Sequence, residues 1–335
     1  MRKFLLWLVF LLAMVSLFAY VAGCSIQNGK TVVRLNEVTR SVFYAPMYVA
    51  INQGFFAEEG IELELTTGQG ADNVMTAMLS GQADIGFMGP EATIYVYNQD
   101  QADYAVNFAQ LTKRDGSFLV AREADPEFDW DMVRGKTIIG GRRGGMPLMT
   151  LEYVLKGKDI IPGEDVEVLT HIDFALMAGA FTGGEGDYVT LFEPVAAALE
   201  QEGAGFVVAS VGMESGEIPY TVFSARKSYI EENEDIIQRF TNAIYRGQLW
   251  VDSHSPEEIA AAIKPSFPDA DVEILTAVAE RYQEVDAWAK NPVFTEESFV
   301  RLQDVMKLAG ELDKRAPYAD LVTNYYAEQA LEAVE

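Results

Sequence analysis

The sequence predicts an α/β fold of two lobes followed by a C-terminal helical segment. One phrase is written twice, GQADIGFMGPEA from Gly81 to Ala92 and GEGDYVTLFEPVA from Gly184 to Ala196. In each, an apolar stretch of helical character stops at glycine, an aspartate precedes a short apolar run, and a proline follows. That is the course of helix, turn, strand and helix in an α/β unit, and two copies imply two units. Strand-like and helix-like stretches alternate around both copies, whereas from about Ser228 strand signals cease and glycine becomes scarce. A chain of 335 residues is also long for a single core and suits two compact bodies.

The first element is TVVRLNEV from Thr31, whose alternation fits a strand. SVFYAPMYVAINQGFF enters a helix with Pro46 in its first turn, where a missing N–H costs nothing, and stops at Gly54. IELELT places Ile61, Leu63 and Leu65 on one face and Glu62 and Glu64 on the other, a half-buried strand. Val74, Met75, Met78 and Leu79 form a helical stripe ending at Gly81. The second block repeats this grammar: GKTIIGG as strand, GMPLMTLEYVLKG as helix, DVEVLT as strand, FALMAGAF as helix, then FVVASV as strand. In the tail, Ser255-Pro256-Glu257-Glu258 reads as a capping box and Phe299, Leu302 and Met306 as a buried stripe. Asp84 and Asp187, at the starts of their strands, are expected to form turns.

Charge narrows the partners. Fifty-one acids face 25 bases, and no basic block interrupts that field, which argues against nucleic acid and anionic lipid surfaces. At the N-terminus, Arg2 and Lys3 precede nineteen uncharged residues, Phe4–Ala22, and the stretch closes on Val21-Ala22-Gly23-Cys24. A basic start, an apolar run and small residues before a cut site describe a secretory signal. Cys24 is the single cysteine, so no internal disulfide is available, and loss of Arg2 and Lys3 takes the formal charge from −26 to −28. His171 and His254 stand far apart without a ligand cluster, so neither a metal nor any other cofactor is expected. Neither Walker nor Rossmann glycine spacing nor a nucleophile elbow occurs, so no catalytic residue is assigned.

The small-small-Cys ending resembles the bacterial lipobox, with Val21 where leucine is commoner. Together with FYAPMYVAINQGFFAEEGIELEL, the Gly-Pro of the first phrase and GKTIIGGRRGG, the chain resembles the substrate-binding lipoproteins of ABC transporters. It is most similar to the branch that binds thiamine-pyrimidine precursors and aliphatic sulfonates, whose fold is the type II periplasmic binding protein clamp. The resemblance implies a signal over residues 1–23, a tether over 24–30, a first lobe from 31–115 and 222–335, and a second lobe from 116–221. It further implies a monomer lipid-anchored through Cys24 on the extracytoplasmic face of the cell membrane, delivering a small-molecule solute to permease and ATPase subunits. Yeast relatives that make the thiamine pyrimidine are enzymes with a cysteine-rich motif and histidine. This chain lacks that motif, which speaks against an enzyme.

In α/β sheets ligands gather beyond the carboxyl ends of strands. On that rule the candidate ligand-binding residues are Asn36, Thr39, Arg40 and Tyr44 after the first strand, Gly89 and Pro90 in the first phrase, and Gln110 near the exit from the first lobe. In the second lobe they are Arg142, Gly144 and Gly145 in the glycine-rich turn, and Phe192 with Glu193 in the second phrase. Glu193 is expected to accept hydrogen bonds from an amino-substituted heterocycle, with aromatic rings stacking on its plane. The glycine turn with its arginines would instead suit a sulfonate or other small organic anion. A pyrimidine-processing enzyme and a sensor ectodomain are the other classes compatible with the pattern. Glu91 is expected to be mainly a helix-terminus acid, and Met146, Asp173 and Tyr220 are lesser candidates.

Overall fold

The computed structural model describes residues 30–334; the expected signal, Cys24 and the tether up to residue 29 lie outside them. Alternation does build the first strands: β1 (Thr31–Glu37) buries Val33 and Leu35 between more exposed neighbours. The helix α1 (Ala45–Asn52) follows with proline in its first turn. Next come β2 (Ile61–Thr67), α2 (Ala71–Leu79), β3 (Ile85–Met88), α3 (Glu91–Tyr97) and β4 (Ala105–Thr112).

The chain then crosses to a second sheet through β5 (Ser117–Ala121) and β6 (Thr137–Ile139). There α4 (Met146–Gly157), β7 (Glu167–Leu169), β8 (Tyr188–Phe192), α5 (Val195–Gln201) and β9 (Phe206–Ser210) complete the lobe. β10 (Thr221–Arg226) returns to the first sheet. The strand orders are β2-β1-β3-β10-β4 and β7-β6-β8-β5-β9. β1 and β3 run parallel, with Leu35 opposite Ile85, while β10 runs antiparallel to both β3 and β4. The second sheet repeats this with β6 parallel to β7 and β8, and β5 antiparallel to β8 and β9.

The repeated phrase performs the same task in both lobes. Asp84 donates its backbone N–H to the Arg34 carbonyl at 2.9 Å and accepts the Arg34 N–H on Oδ2 at 2.9 Å. Asp187 donates to the Thr137 carbonyl at 2.8 Å and accepts the Thr137 N–H on Oδ2 at 2.9 Å. Each aspartate therefore fastens the start of its strand to the parallel neighbour, at the middle of β1 through Arg34 and at the first residue of β6 through Thr137, and leaves neither N–H unpaired. The prolines stand one residue before their helices, as the caps of α3 and α5, rather than within the first turn.

Beyond β10 the chain is helical: α6 (Glu234–Ser253), α7 (Pro256–Ile263), α8 (Val272–Glu284), α9 (Glu296–Leu308) and α10 (Tyr325–Ala333) are its main members. Ser255 and Glu258 form the reciprocal capping box at the start of α7. Phe299, Leu302 and Met306 are fully buried. α6 packs on α1 closely enough that Gly247 faces the Pro46 carbonyl, where a Cβ would stand 2.2 Å away. The tail thus joins the core of the first lobe, which includes Phe108, Phe223, Phe240 and Tyr282.

Two stretches connect the lobes, one after β4 and one before β10. They bond to each other through Ile218 N–H to the Lys113 carbonyl at 2.9 Å and Tyr220 N–H to the Thr112 carbonyl at 3.2 Å. α8 braces this crossing: the Tyr282 hydroxyl donates to the Gly116 carbonyl at 2.9 Å and accepts the Glu193 N–H at 3.1 Å.

Candidate functional site

A cavity of about 90 Å³ lies between the lobes, several times the roughly 10–15 Å³ that one water requires. Its walls come from the carboxyl ends of parallel strands, where side chains are free of the sheet. β1 leads to Val38 and Thr39, β3 to Gly89 and Glu91, β6 to Gly141 and Arg142, and β8 ends on Phe192. Tyr44, Phe174 and Tyr220 add aromatic surface, and the starts of α2 (Ala71) and α4 (Met146, Pro147) close the sides. Aromatic walls with a few polar atoms are the usual make-up of a small-molecule site.

Glu91 is the chemically decisive member. Its side chain is 3% exposed and Oε2 has no hydrogen-bond partner. Burial pushes its carboxyl up to about 7, against the pull of its own backbone N–H, the Arg142 guanidinium and the Met146 N–H. Gly89 makes room for it, since a Cβ there would fall 2.0 Å from Oε2. Tyr220 also lines the cavity, with its hydroxyl turned towards Asp115. A buried acceptor without a donor is costly, and a ligand N–H would remove that cost.

A second buried acid, Asp115, sits at the crossing between lobes. It is fully buried, receives the Ser117 N–H at 2.6 Å, and is pushed up to about 7 by burial, which contacts from Ser117, Tyr220 and Thr150 partly offset. Away from the crossing, contacts between the lobes include Arg142 with Asp72 at 2.9 Å, the Tyr95 hydroxyl donating to the Gly144 carbonyl at 3.2 Å, and Lys156 Nζ donating to the Leu308 carbonyl at 3.0 Å.

The residues singled out by sequence distribute unevenly. Thr39, Tyr44, Gly89, Arg142, Gly145 and Phe192 line the cavity, as do Met146 and Tyr220. Pro90 and Gly144 adjoin it as the cap of α3 and the Tyr95 partner. Asn36 donates to Thr66 at 3.0 Å, and Gln110 turns its amide to the Thr112 carbonyl at 3.1 Å; neither lines the cavity. Arg40 is held by Glu37 at 2.9 Å. Glu193 does not line the cavity: Arg281 pairs with Oε1, and Oε2 accepts the Ala197 N–H at 2.8 Å. Burial raises the Glu193 carboxyl while Arg281 draws it down. Phe174, Thr221 and Val38 were missed by sequence reasoning; Val38 and Thr221 sit at strand ends, but Phe174 carried no local signal. Among the described residues, no group of three or more His, Cys, Asp or Glu is placed to hold a metal ion, and no helix is long and apolar enough to cross a membrane.

The model of the NMT1-like family matches residues 38–264, which contain both sheets' crossing segments and every residue that lines the cavity. The chain belongs to the NMT1-like family. A Bacillus subtilis (strain 168) relative, named "Putative binding protein YtlA", is 47% identical over 309 residues, covering 92% of each chain. Solved structures share the fold at low identity. The ligand-binding component of an ABC-type import system from Staphylococcus aureus superposes with a TM-score of 0.71 at 15% identity, over 90% of this chain and 99% of that one. The periplasmic aliphatic sulphonate binding protein SsuA from Escherichia coli gives 0.67 at 15% identity, over 86% and 96%. The expected fold, a periplasmic binding protein clamp with C-terminal helices, is the one observed.

Proposed function

We propose that this chain is the extracytoplasmic solute-binding component of an ABC importer, tethered to the cell membrane through a lipid on Cys24. Its two lobes close on a small planar nitrogen heterocycle, such as a thiamine pyrimidine precursor, and hand it to a permease without chemical change. The observation that carries the choice of ligand is Glu91 Oε2, a buried, unpartnered acceptor in a cavity walled by Tyr44, Phe192 and Tyr220. An amino group on the ring supplies the missing donor, while the aromatic rings contact its faces. Family membership and the fold shared with a binding component of an import system support the receptor role.

Arg142 favours a second reading. It faces the same cavity beside the starts of α2 and α4, where backbone N–H groups favour negative charge, and one fold neighbour is named for sulphonate binding. Against it stands Glu91, which in its ionised form repels an anion at that spot. A thermal-shift panel separates the two. Aminopyrimidines at about a hundred times Kd should stabilise the protein by roughly 2.7 kcal/mol while alkanesulfonates and carboxylates give no shift. Stabilisation by sulfonates alone would reject the heterocycle and leave the anion reading.

A further inference from the structure

The cleft does not end at the cavity that holds Glu91. A second cavity of about 150 Å³ lies against it, and the two share Thr39, Phe174 and Phe192 as a common wall. Ala175, Ala178, Leu191 and Val195 give this second chamber an apolar lining. Its two charged side chains are already satisfied. Arg40 Nε donates to Glu37 at 2.9 Å and Nη1 to the Ser266 carbonyl at 3.3 Å, and the Glu193 carboxylate is held by Arg281 and by the Ala197 N–H. Ser41, whose hydroxyl donates to the Glu193 carbonyl, and Gln69 complete a lining that is mostly apolar and suited to hydrocarbon.

The aromatic members of the common wall are held unequally. Phe192 is buried, with Phe43 at 5.7 Å and Tyr220 at 6.0 Å between ring centroids. Phe174 begins a single 3-10 turn (Phe174–Leu176) in which no residue is buried, and Leu176 is 61% exposed. Its ring meets Phe192 at 5.7 Å. A side chain so placed changes rotamer easily, whereas Phe192 is locked by its neighbours.

We propose that the solute has two parts: a donor-bearing ring seated at Glu91, and an apolar substituent that turns Phe174 aside and enters the second chamber. Phe174 is then the residue that sets which substituents are accepted. This inference rests on the heterocycle reading above. Each buried methylene is worth about fourfold in affinity.

The test is calorimetric titration of the full chain with 4-aminopyrimidine and with its 2-propyl and 5-propyl derivatives. One propyl isomer should bind tenfold or more tightly than the parent, and Ala178→Phe, which fills the chamber, should bring that ratio to about one. Phe174→Ala should move the preference towards longer substituents, and it decides the matter even where Ala178→Phe does not fold. If the parent binds and neither propyl isomer gains affinity, the second chamber is refuted while the heterocycle reading stands. Failure of all three compounds to bind overturns the heterocycle reading, and this inference with it.

Discussion

Replacing Glu91 by glutamine tests the unusual state of that carboxyl directly. In the folded chain it is raised from an ordinary 4.5 to about 7. Over that interval the folded protein keeps a proton that the unfolded chain has lost. Stability from this group is therefore full below about pH 4.5 and disappears as pH climbs through about 7. The displacement corresponds to ~3 kcal/mol that the ionised carboxylate costs the folded state at pH 8. Glutamine has nearly the same shape and never ionises. Glu91→Gln should thus unfold like the parent at pH 4 and be more stable by ~3 kcal/mol at pH 8, about 4 °C in melting temperature for a chain this size. Asp115 supplies a built-in control, because it is raised to about 7 by burial as well and is untouched by the change. Its share of the pH slope must survive, so the slope should lessen rather than vanish. Melting temperatures at half-unit steps from pH 4 to 8 decide the issue. An unchanged slope would refute the claim that Glu91 is held in a desolvated cavity.

Other perturbations follow from the same contacts. Arg281→Ala leaves the buried Glu193 carboxylate without its cation and should destabilise the fold by ~3–5 kcal/mol, and Glu193→Gln in that background should recover most of the loss in a denaturant titration. Asp72→Ala breaks an interlobe ion pair that is largely exposed. It should weaken ligand binding by no more than about fivefold, with the difference fading at about 1 M salt. Gly247→Ala places a methyl 2.2 Å from the Pro46 carbonyl and should cost at least ~1–3 kcal/mol by separating two packed helices, seen as a lower denaturation midpoint with an unchanged slope.

Much of this architecture is legible in the chain because it rests on local rules. β1 and β2 alternate, and the glycines that end helices carry positive φ, 75° at Gly81 and 103° at Gly184. β4 and β5 escape such reading because every residue of both is buried, so no polar face marks them. Asn107 lies inside β4 only because Thr93, Leu321 and Ser224 meet its amide from distant segments. The two glutamates of the repeated phrase show the limit most sharply. Glu91 and Glu193 share the same local grammar beside a proline, and sequence reasoning prefers Glu193 as the anchor. Their roles part because Arg281, 88 residues further on, packs against Glu193, whereas Glu91 lines the cavity and its buried Oε2 has no partner. Arg142 and Arg143, adjacent in sequence, divide in the same way: one lines the cleft and the other a surface depression beside Lys136 and Glu152.

The most direct test of the account is a crystal structure of the protein with 4-amino-2-methylpyrimidine bound. The account predicts the ring between Tyr44, Phe192 and Tyr220, with its amino nitrogen within hydrogen-bonding distance, about 2.7–3.2 Å, of Glu91 Oε2. A ligand that binds outside this cavity, or lies within it with no nitrogen near Glu91, would contradict it.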